Sequence, residues 1–181
     1  ITSPAPGAGK SFTSLNLSVV TAQSGQTVCL VDTDMRRGQL RKFFGIHKNE
    51  PGLSEYLTGE KTLDEVLRTT AVDGLCFIPT GAYPPNPSEL LMRQRMADLI
   101  QELNSRFDMT FLDCAPVLAV TDPVIVGSKS GAILGVVRYD QTPLVEVQSM
   151  LKTFDSAGVR MTGTILNGFD PRKARSAYSY N

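Results

Sequence analysis

The residues best suited to chemistry lie at the start of the chain, in the stretch SPAPGAGKS at residues 3–11. It ends like the phosphate-binding loop G-x-x-x-x-G-K-[ST], although Pro4 stands where the first glycine is usual. Proline has no N–H to donate, so Pro4 and Pro6 leave phosphate binding to the second half of the loop. Backbone N–H groups before a helix N-terminus bind anions, and a lysine there reaches the outer phosphates of a nucleotide. The sequence therefore predicts a nucleotide site at Gly7, Ala8, Gly9, Lys10, Ser11 and Phe12.

Three carboxylates follow apolar runs that are typical of buried strands. Asp32 directly follows the run TVCLV, Asp34 comes two residues later, and Asp113 directly follows MTFL. In extended geometry, residues two apart share a face, which predicts that Asp32 and Asp34 point the same way. Magnesium prefers oxygen ligands and retains water, so we expect Ser11, Asp32 and Asp113 to serve a metal ion. Singly, each feature fits a glycine turn or a helix cap equally well, but together they indicate nucleotide and magnesium binding.

The elements that must position these residues alternate between apolar runs and helical spacing. Helices are predicted over 12–23, 53–69, 88–104 with Ser88 as the N-cap, and 144–156. Within 53–69, Ser54 is a possible start and Thr62 to Glu65 is a second cap-like segment. Strands are predicted at 27–31, 74–79, 109–112, 132–137 and 161–166. This alternation is typical of an α/β fold with a mostly parallel sheet sandwiched by helices, in which ligands bind at the carboxyl ends of the strands.

Composition excludes several classes of protein. The 18 basic and 18 acidic residues cancel, so the chain lacks the net positive charge that typically recruits nucleic acid. The three cysteines are scattered through apolar runs and are expected to be core thiols in a reducing compartment. A single histidine, His47, supports neither a histidine metal site nor a Ser-His-Asp arrangement, and it is expected in a surface loop.

The length of 181 residues predicts one domain, which we place at residues 1–169, followed by a polar and mobile tail at 170–181. No apolar run approaches the roughly 18 residues that cross a bilayer. A phosphate loop normally follows a buried strand, and here the loop comes almost at once. We therefore expect the sequence to be part of a longer protein.

Four segments together resemble the bacterial tyrosine kinases, or BY-kinases, of capsule and exopolysaccharide export. They are SPAPGAGKS, LVDTDMRR at 30–37, PPNPSELL at 84–91 and FLDCAPVLAVTD at 111–122. The similarity runs through essentially the whole chain in consistent order, and LVDTDMRR and PPNPSELL are its most specific parts. The resemblance implies a P-loop NTPase-like fold with a deviant Walker A loop, as in the MinD and partition-type ATPases.

The resemblance also implies roles for the residues singled out above. Lys10 and Ser11 match Walker A, Asp32 and Asp34 match Walker A′, and Asp113 matches Walker B. Lys10 and the three aspartates would be catalytic with ATP and Mg²⁺, and Asp34, or alternatively Asp32, would help to deprotonate the incoming tyrosine.

In relatives, a tyrosine-rich tail is phosphorylated in trans, which nominates Tyr178 and Tyr180 here. From the residues alone, tyrosines near a terminus are equally well explained as solvated. The resemblance further implies a ring-shaped homo-oligomer, a membrane-anchored chain-length and export region that is fused or separate, and a cognate tyrosine phosphatase. It places the catalytic domain at the cytoplasmic face of the bacterial inner membrane.

Asn167 follows a predicted strand where P-loop relatives recognise adenine, although it also suits a turn. Arg138 and Tyr139 are candidates for the pocket wall or for a surface ion pair. Two other functions stay open at this point, a partition or septum-positioning ATPase and a non-catalytic nucleotide-binding adaptor. Ala5 disfavours the former, because partition-type ATPases carry a second lysine at that position.

Overall fold

The computed structural model describes residues 1–171, so the predicted acceptors Tyr178 and Tyr180 lie outside the described residues. Within residues 1–171 there are six strands: β1 (Val28–Asp32), β2 (Arg68–Thr69), β3 (Leu75–Ile78), β4 (Met109–Asp113), β5 (Leu134–Arg138) and β6 (Gly163–Asn167). Strands β2, β3, β1 and β4 form one sheet in that order, and β5 pairs with β6. Every pairing between these strands is parallel except that of β2 with β3.

The first residues of the chain join the two sheets. The amino group of Ile1 donates to the carbonyl of Leu112, and the N–H of Cys114 donates to the carbonyl of Ile1. On the other side, Thr2 exchanges backbone hydrogen bonds with the β5 segment and forms a parallel bridge with Gly135. The phosphate loop therefore leaves from between β4 and β5, at the carboxyl ends of the strands.

Helices occupy the connections between the strands. They are α1 (Lys10–Gln23), a 3₁₀ helix (Leu40–Phe44), α2 (Leu53–Thr58), α3 (Leu63–Val66), α4 (Pro87–Met92), α5 (Gln94–Arg106), α6 (Asp122–Gly127) and α7 (Leu144–Ser156). The bounds of α7 are those that the sequence predicted, and the longer strands lie within two residues of their predicted positions. No helix within the described residues is long and apolar enough to span a bilayer.

The prediction of one helix over residues 53–69 is wrong. Gly59 takes a left-handed φ of 90° and ends α2, because a glycine adopts this conformation without steric cost. A new helix begins at the capping box formed by Thr62 and Glu65. Arg68–Thr69 is then a short strand paired with β3, so the periodic pattern is shared among three elements.

The prediction that Ser88 caps a single long helix is also wrong. The N-cap of α4 is Asn86, with Pro87 in the first turn, where a missing N–H costs little. Arg93 is extended, with ψ of 152°, and divides the predicted helix into α4 and α5. The hydroxyl of Ser88 instead donates to the carboxylate of Asp122.

Strand β1 is buried on both faces, which explains why its sequence is continuously apolar. Cys29 and Val31 pack in one hydrophobic cluster with residues of α2 to α5. Val28 and Leu30 point to the opposite face and pack in a second cluster with Ala22 of α1. The sheet therefore lies between two helical layers, as predicted. Cys29 and Cys114 are buried as expected, whereas Cys76, also expected in the core, is only partly buried.

A third cluster, around α7, provides a stability test. Phe154 is fully buried and packs with Ile133 and Met150. Replacing it with alanine is expected to lower the free energy of unfolding by about 3–5 kcal/mol, through lost apolar contact and the cavity left behind. Urea denaturation measures this loss, with Leu144→Ala, on the same helix but 71% exposed, as the control. Equal losses in the two variants would contradict the packing.

Candidate active site

The phosphate loop requires glycine at position 9 for two reasons. Its φ of 94° lies in the left-handed region that side chains rarely adopt. A Cβ added there would overlap Nδ2 of Asn167. Gly9 is also the N-cap of the 14-residue helix α1, with no side chain capping it. The loop therefore presents a helix N-terminus, where the dipole and backbone N–H groups favour an anion.

Lys10 contacts carboxylates from two different strand ends. Its ammonium lies 3.3 Å from Oδ2 of Asp34 and 3.5 Å from Oδ2 of Asp113. Burial by itself would lower the pKa of Lys10, but the charges of Asp113 and Asp34 outweigh burial and raise that pKa. The structure thus brings together three residues that the sequence nominated from distant segments.

Asp113 also binds the hydroxyl groups of α1. Ser11 donates to its Oδ2 at 2.6 Å, and the hydroxyl of Ser14 lies 3.0 Å from its Oδ1. Sequence reasoning missed Ser14, although its spacing of three residues from Ser11 places both on one helix face. Hydroxyl and carboxylate oxygens at this distance make a donor set that suits Mg²⁺.

Asp34 lies beyond the end of β1, in a turn, so extended geometry does not continue to it. Its Oδ1 accepts the N–H of Arg37 at 2.9 Å, and its carbonyl accepts the N–H of Gly38 at 2.6 Å. The turn therefore holds one carboxylate oxygen and leaves Oδ2 toward Lys10.

Asp32 is paired in register with Asp113 on β4 and is 1% exposed. Its two oxygens accept the N–H groups of Asp34, at 3.3 Å, and Leu40, at 3.1 Å. Burial, reinforced by the negative charge of Asp113, raises the pKa of Asp32 from 3.8 to about 7. These two hydrogen bonds therefore hold the segment after β1 against the carboxyl group of Asp32.

This raised pKa predicts a pH-dependent stability. Below about pH 4 Asp32 is protonated in both folded and unfolded chains; as pH rises to about 7 the unfolded chain loses the proton first. The free energy of unfolding therefore falls by about 2–4 kcal/mol between about pH 4 and pH 7. Urea denaturation across this range should show Asp32→Asn gaining stability relative to the unchanged chain as pH rises. Parallel profiles for the two proteins would contradict the prediction.

Two residues from the ends of β5 and β6 hold the outer side of the phosphate loop. Asn167 donates its side-chain N–H to the carbonyl of Ala8 at 2.9 Å. Arg138 donates to the carbonyl of Gly7 at 3.1 Å, and the ring of Tyr139 packs edge-on against Phe169. Asn167 and Arg138 therefore lie at the loop where the sequence placed a nucleotide. Phe12, also nominated, is 59% exposed in the first turn of α1.

Comparison with known proteins identifies relatives of this chain. A family model described as an AAA domain matches residues 3–162. A putative tyrosine-protein kinase in the cps region of Klebsiella pneumoniae is 41% identical over 178 residues, 98% of this chain and 24% of that relative. The chain therefore spans about a quarter of the length of the curated relatives that it matches.

Solved structures agree with these relatives. The kinase domain of Escherichia coli tyrosine kinase ETK superposes with a TM-score of 0.91 and 42% identity, over 99% of this chain and 70% of that one. The septum site-determining protein MinD of Pyrococcus horikoshii, complexed with Mg-ADP, has a TM-score of 0.77 and 22% identity, over 94% and 70%. The second similarity concerns the fold alone, and together with the first it confirms the predicted α/β fold with a mainly parallel sheet. This fold and the AAA-domain match imply that the chain binds a nucleotide.

Proposed function

The chain belongs to the bacterial tyrosine kinase family, and from this premise we propose that it transfers the γ-phosphoryl group of ATP to tyrosine hydroxyls. One observation carries the proposal. Lys10, Asp34 and Asp113 converge within 3.5 Å of the lysine ammonium, beside the helix N-terminus that the phosphate loop presents. Phosphoryl transfer mainly requires positioning and charge stabilisation, and this arrangement supplies both.

The residues present fit a magnesium ion together with the nucleotide. Within residues 1–171 no cluster of three His, Cys, Asp or Glu side chains forms a metal site by itself. Ser11 and Asp113 provide a hydroxyl and a carboxylate, and phosphate oxygens and water would complete the oxygen ligands that magnesium prefers. We assign these two residues to the metal together with Asp32, which is paired in register with Asp113. When bound, the ion would neutralise phosphate charge.

We propose that the remaining groups have separate roles in phosphoryl transfer. The backbone of Gly7 to Ser11 holds the phosphates, and Lys10 provides positive charge where negative charge develops on the transferred group. Asp34 Oδ2 accepts the phenolic proton, since a tyrosine of pKa about 10 is mostly protonated at neutral pH. Asn167 would face the adenine through its amide.

We also propose the arrangement of the larger protein. Residues 1–169 form the kinase domain, and 170–181 form a tail whose Tyr178 and Tyr180 are phosphorylated in trans by another copy. A homo-oligomer, closed as a ring, would bring tail and site together. The assembly would act at the cytoplasmic face of the inner membrane with a membrane-anchored export region, regulating capsule or exopolysaccharide export, and a tyrosine phosphatase would reverse the reaction.

The experiment is to incubate the protein with ATP and magnesium, and to assay phosphotyrosine and released phosphate in parallel. Phosphotyrosine on the chain or on an added tyrosine-containing polymer supports the kinase. Phosphate release without phosphotyrosine would replace it with a switch ATPase. Nucleotide binding with neither product would indicate an adaptor.

A further inference from the structure

Three separate segments meet at one buried carboxylate outside the nucleotide site. Asp122, the first residue of α6, is 1% exposed. Arg36 donates to its two oxygens, from Nε to Oδ2 at 2.8 Å and from Nη2 to Oδ1 at 3.2 Å. Ser88 of α4 donates its hydroxyl to Oδ1 at 2.5 Å. Nη2 of Arg36 is also 3.1 Å from the hydroxyl of Ser88, so the three side chains close a ring of contacts.

This arrangement differs from an ordinary surface ion pair. A buried charge is costly unless it is paired with good geometry, and an exposed pair contributes little. Here the carboxylate is buried, the guanidinium binds it through two parallel N–H groups, and a third donor completes the set. A planar guanidinium held in this way has a defined orientation, which a lysine could not reproduce.

Arg36 connects the cluster to the catalytic turn. The backbone N–H groups of Arg36 and Arg37 both point to Oδ1 of Asp34, at 3.4 and 2.9 Å. The same turn closes at Gly38, whose N–H donates to the carbonyl of Asp34. The backbone of Arg36 therefore orients Asp34, while its side chain is anchored on Asp122, 86 residues away.

We propose that Asp122 is a positioning residue for phosphoryl transfer, which, through Arg36 and with Ser88, holds the turn at 34–38 so that Asp34 Oδ2 stays against Lys10. The inference rests on the proposed function, because it concerns the carboxylate assigned there as proton acceptor. It also gives the segment PPNPSELL a role, because its Ser88 donates to Asp122.

None of the three side chains of the cluster hydrogen-bonds to the phosphate loop, whose carbonyls accept from Asn167, Arg138 and the backbone of Val117 and Leu118. Loss of the contacts of Asp122 should therefore displace Asp34, the proposed proton acceptor, and leave nucleotide binding intact. A misplacement of about 1 Å in a reacting group can cost roughly 100-fold in rate. The expected signature is a fall in kcat with little change in KM for ATP.

The test uses the full chain and a soluble glutamate–tyrosine copolymer as acceptor. Asp122→Asn is expected to lower kcat by about 10- to 100-fold, with KM for ATP and the Kd of a fluorescent ATP analogue within about threefold. Arg36→Lys should behave similarly, because it keeps the charge and loses the two-pronged contact. Ser88→Ala should lower kcat by about 3- to 10-fold, and Ser88→Thr, which retains the hydroxyl, should restore it. The control is Arg106→Ala, which removes the exposed pairs with Asp64 and Glu102 and should leave kcat unchanged.

The outcomes separate this proposal from the proposed function. If the unchanged chain makes no phosphotyrosine, the kinase assignment fails and the positioning role fails with it. If the unchanged chain is active and Asp122→Asn or Arg36→Lys keeps full kcat, only the positioning role fails. Equal losses in kcat, nucleotide affinity and thermal stability would overturn it in favour of a folding role. Should Asp122→Asn not fold, the Ser88→Ala and Ser88→Thr pair decides, since rescue by the hydroxyl is not expected of a general folding defect.

Discussion

Replacing Lys10 with methionine is expected to abolish tyrosine phosphorylation, with kcat falling by at least about 10²- to 10³-fold. The ammonium is the group that balances Asp34 and Asp113, 3.3 and 3.5 Å away, and Lys10 is the first residue of α1, directly after the phosphate loop. Methionine has similar length and no charge, so the two carboxylates would repel the incoming nucleotide. Incorporation of labelled phosphate into tyrosine measures the effect.

The matched control is Lys61→Met, which removes an equally charged side chain from an exposed pair with Glu65. Exposed pairs of this kind contribute little, so phosphorylation by this variant should equal that of the unchanged chain. Persistent phosphotyrosine in Lys10→Met would show that the phosphate loop does not serve the reaction, and it would redirect the search for the site.

Asn in place of Asp34 is the second substitution with a large expected effect. The amide oxygen can still accept the N–H of Arg37 and preserve the turn, but it cannot take the phenolic proton. Loss of a general base typically costs about 10²- to 10⁴-fold, so kcat should fall by that amount while the Kd of nucleotide stays within a few-fold. Steady-state kinetics with varied ATP and acceptor, combined with nucleotide titration, separate the two quantities.

Comparing this variant with Asp32→Asn also decides which carboxylate accepts the proton, a choice that the sequence left open between Asp34 and Asp32. Asp32 is buried with both oxygens bound to backbone N–H groups, whereas Asp34 has one oxygen toward Lys10. We therefore expect Asp34→Asn to lower kcat more than Asp32→Asn. The reverse order would assign proton transfer to Asp32, and Asp98→Asn, at an exposed position on α5, provides the baseline.

Much of the fold was predictable because its signals are local. A continuously apolar run such as VCLV identifies a strand buried on both faces, and the bounds of α7 follow from its periodicity. Parallel strands place their carboxyl ends at one edge, so Asp32 and Asp113 could be expected together before any distance was known. Tyr178 and Tyr180 remain a prediction from the resemblance.

The errors arose where a local pattern competed with tertiary contacts. Apolar spacing continues from 53 to 69, but Gly59 ends the helix and β3 draws Arg68–Thr69 into the sheet. Ser88 has the chemistry of a helix cap, and yet its hydroxyl is used on Asp122, 34 residues away. A residue type shows which hydrogen bonds are possible, whereas the packing of helices decides which of them forms.

By itself, the sequence determined the α/β class, the phosphate loop, the three carboxylates after strands and the resemblance to the tyrosine kinases. These depend on residue type, spacing and order, which short-range physical chemistry converts into elements. Only the tertiary structure decided that Lys10 lies between Asp34 and Asp113, that Asp32 has a raised pKa, and that Arg36 is anchored on Asp122. Each of these depends on distance and burial between segments far apart in the chain, and such quantities exist only once the helices and strands have packed.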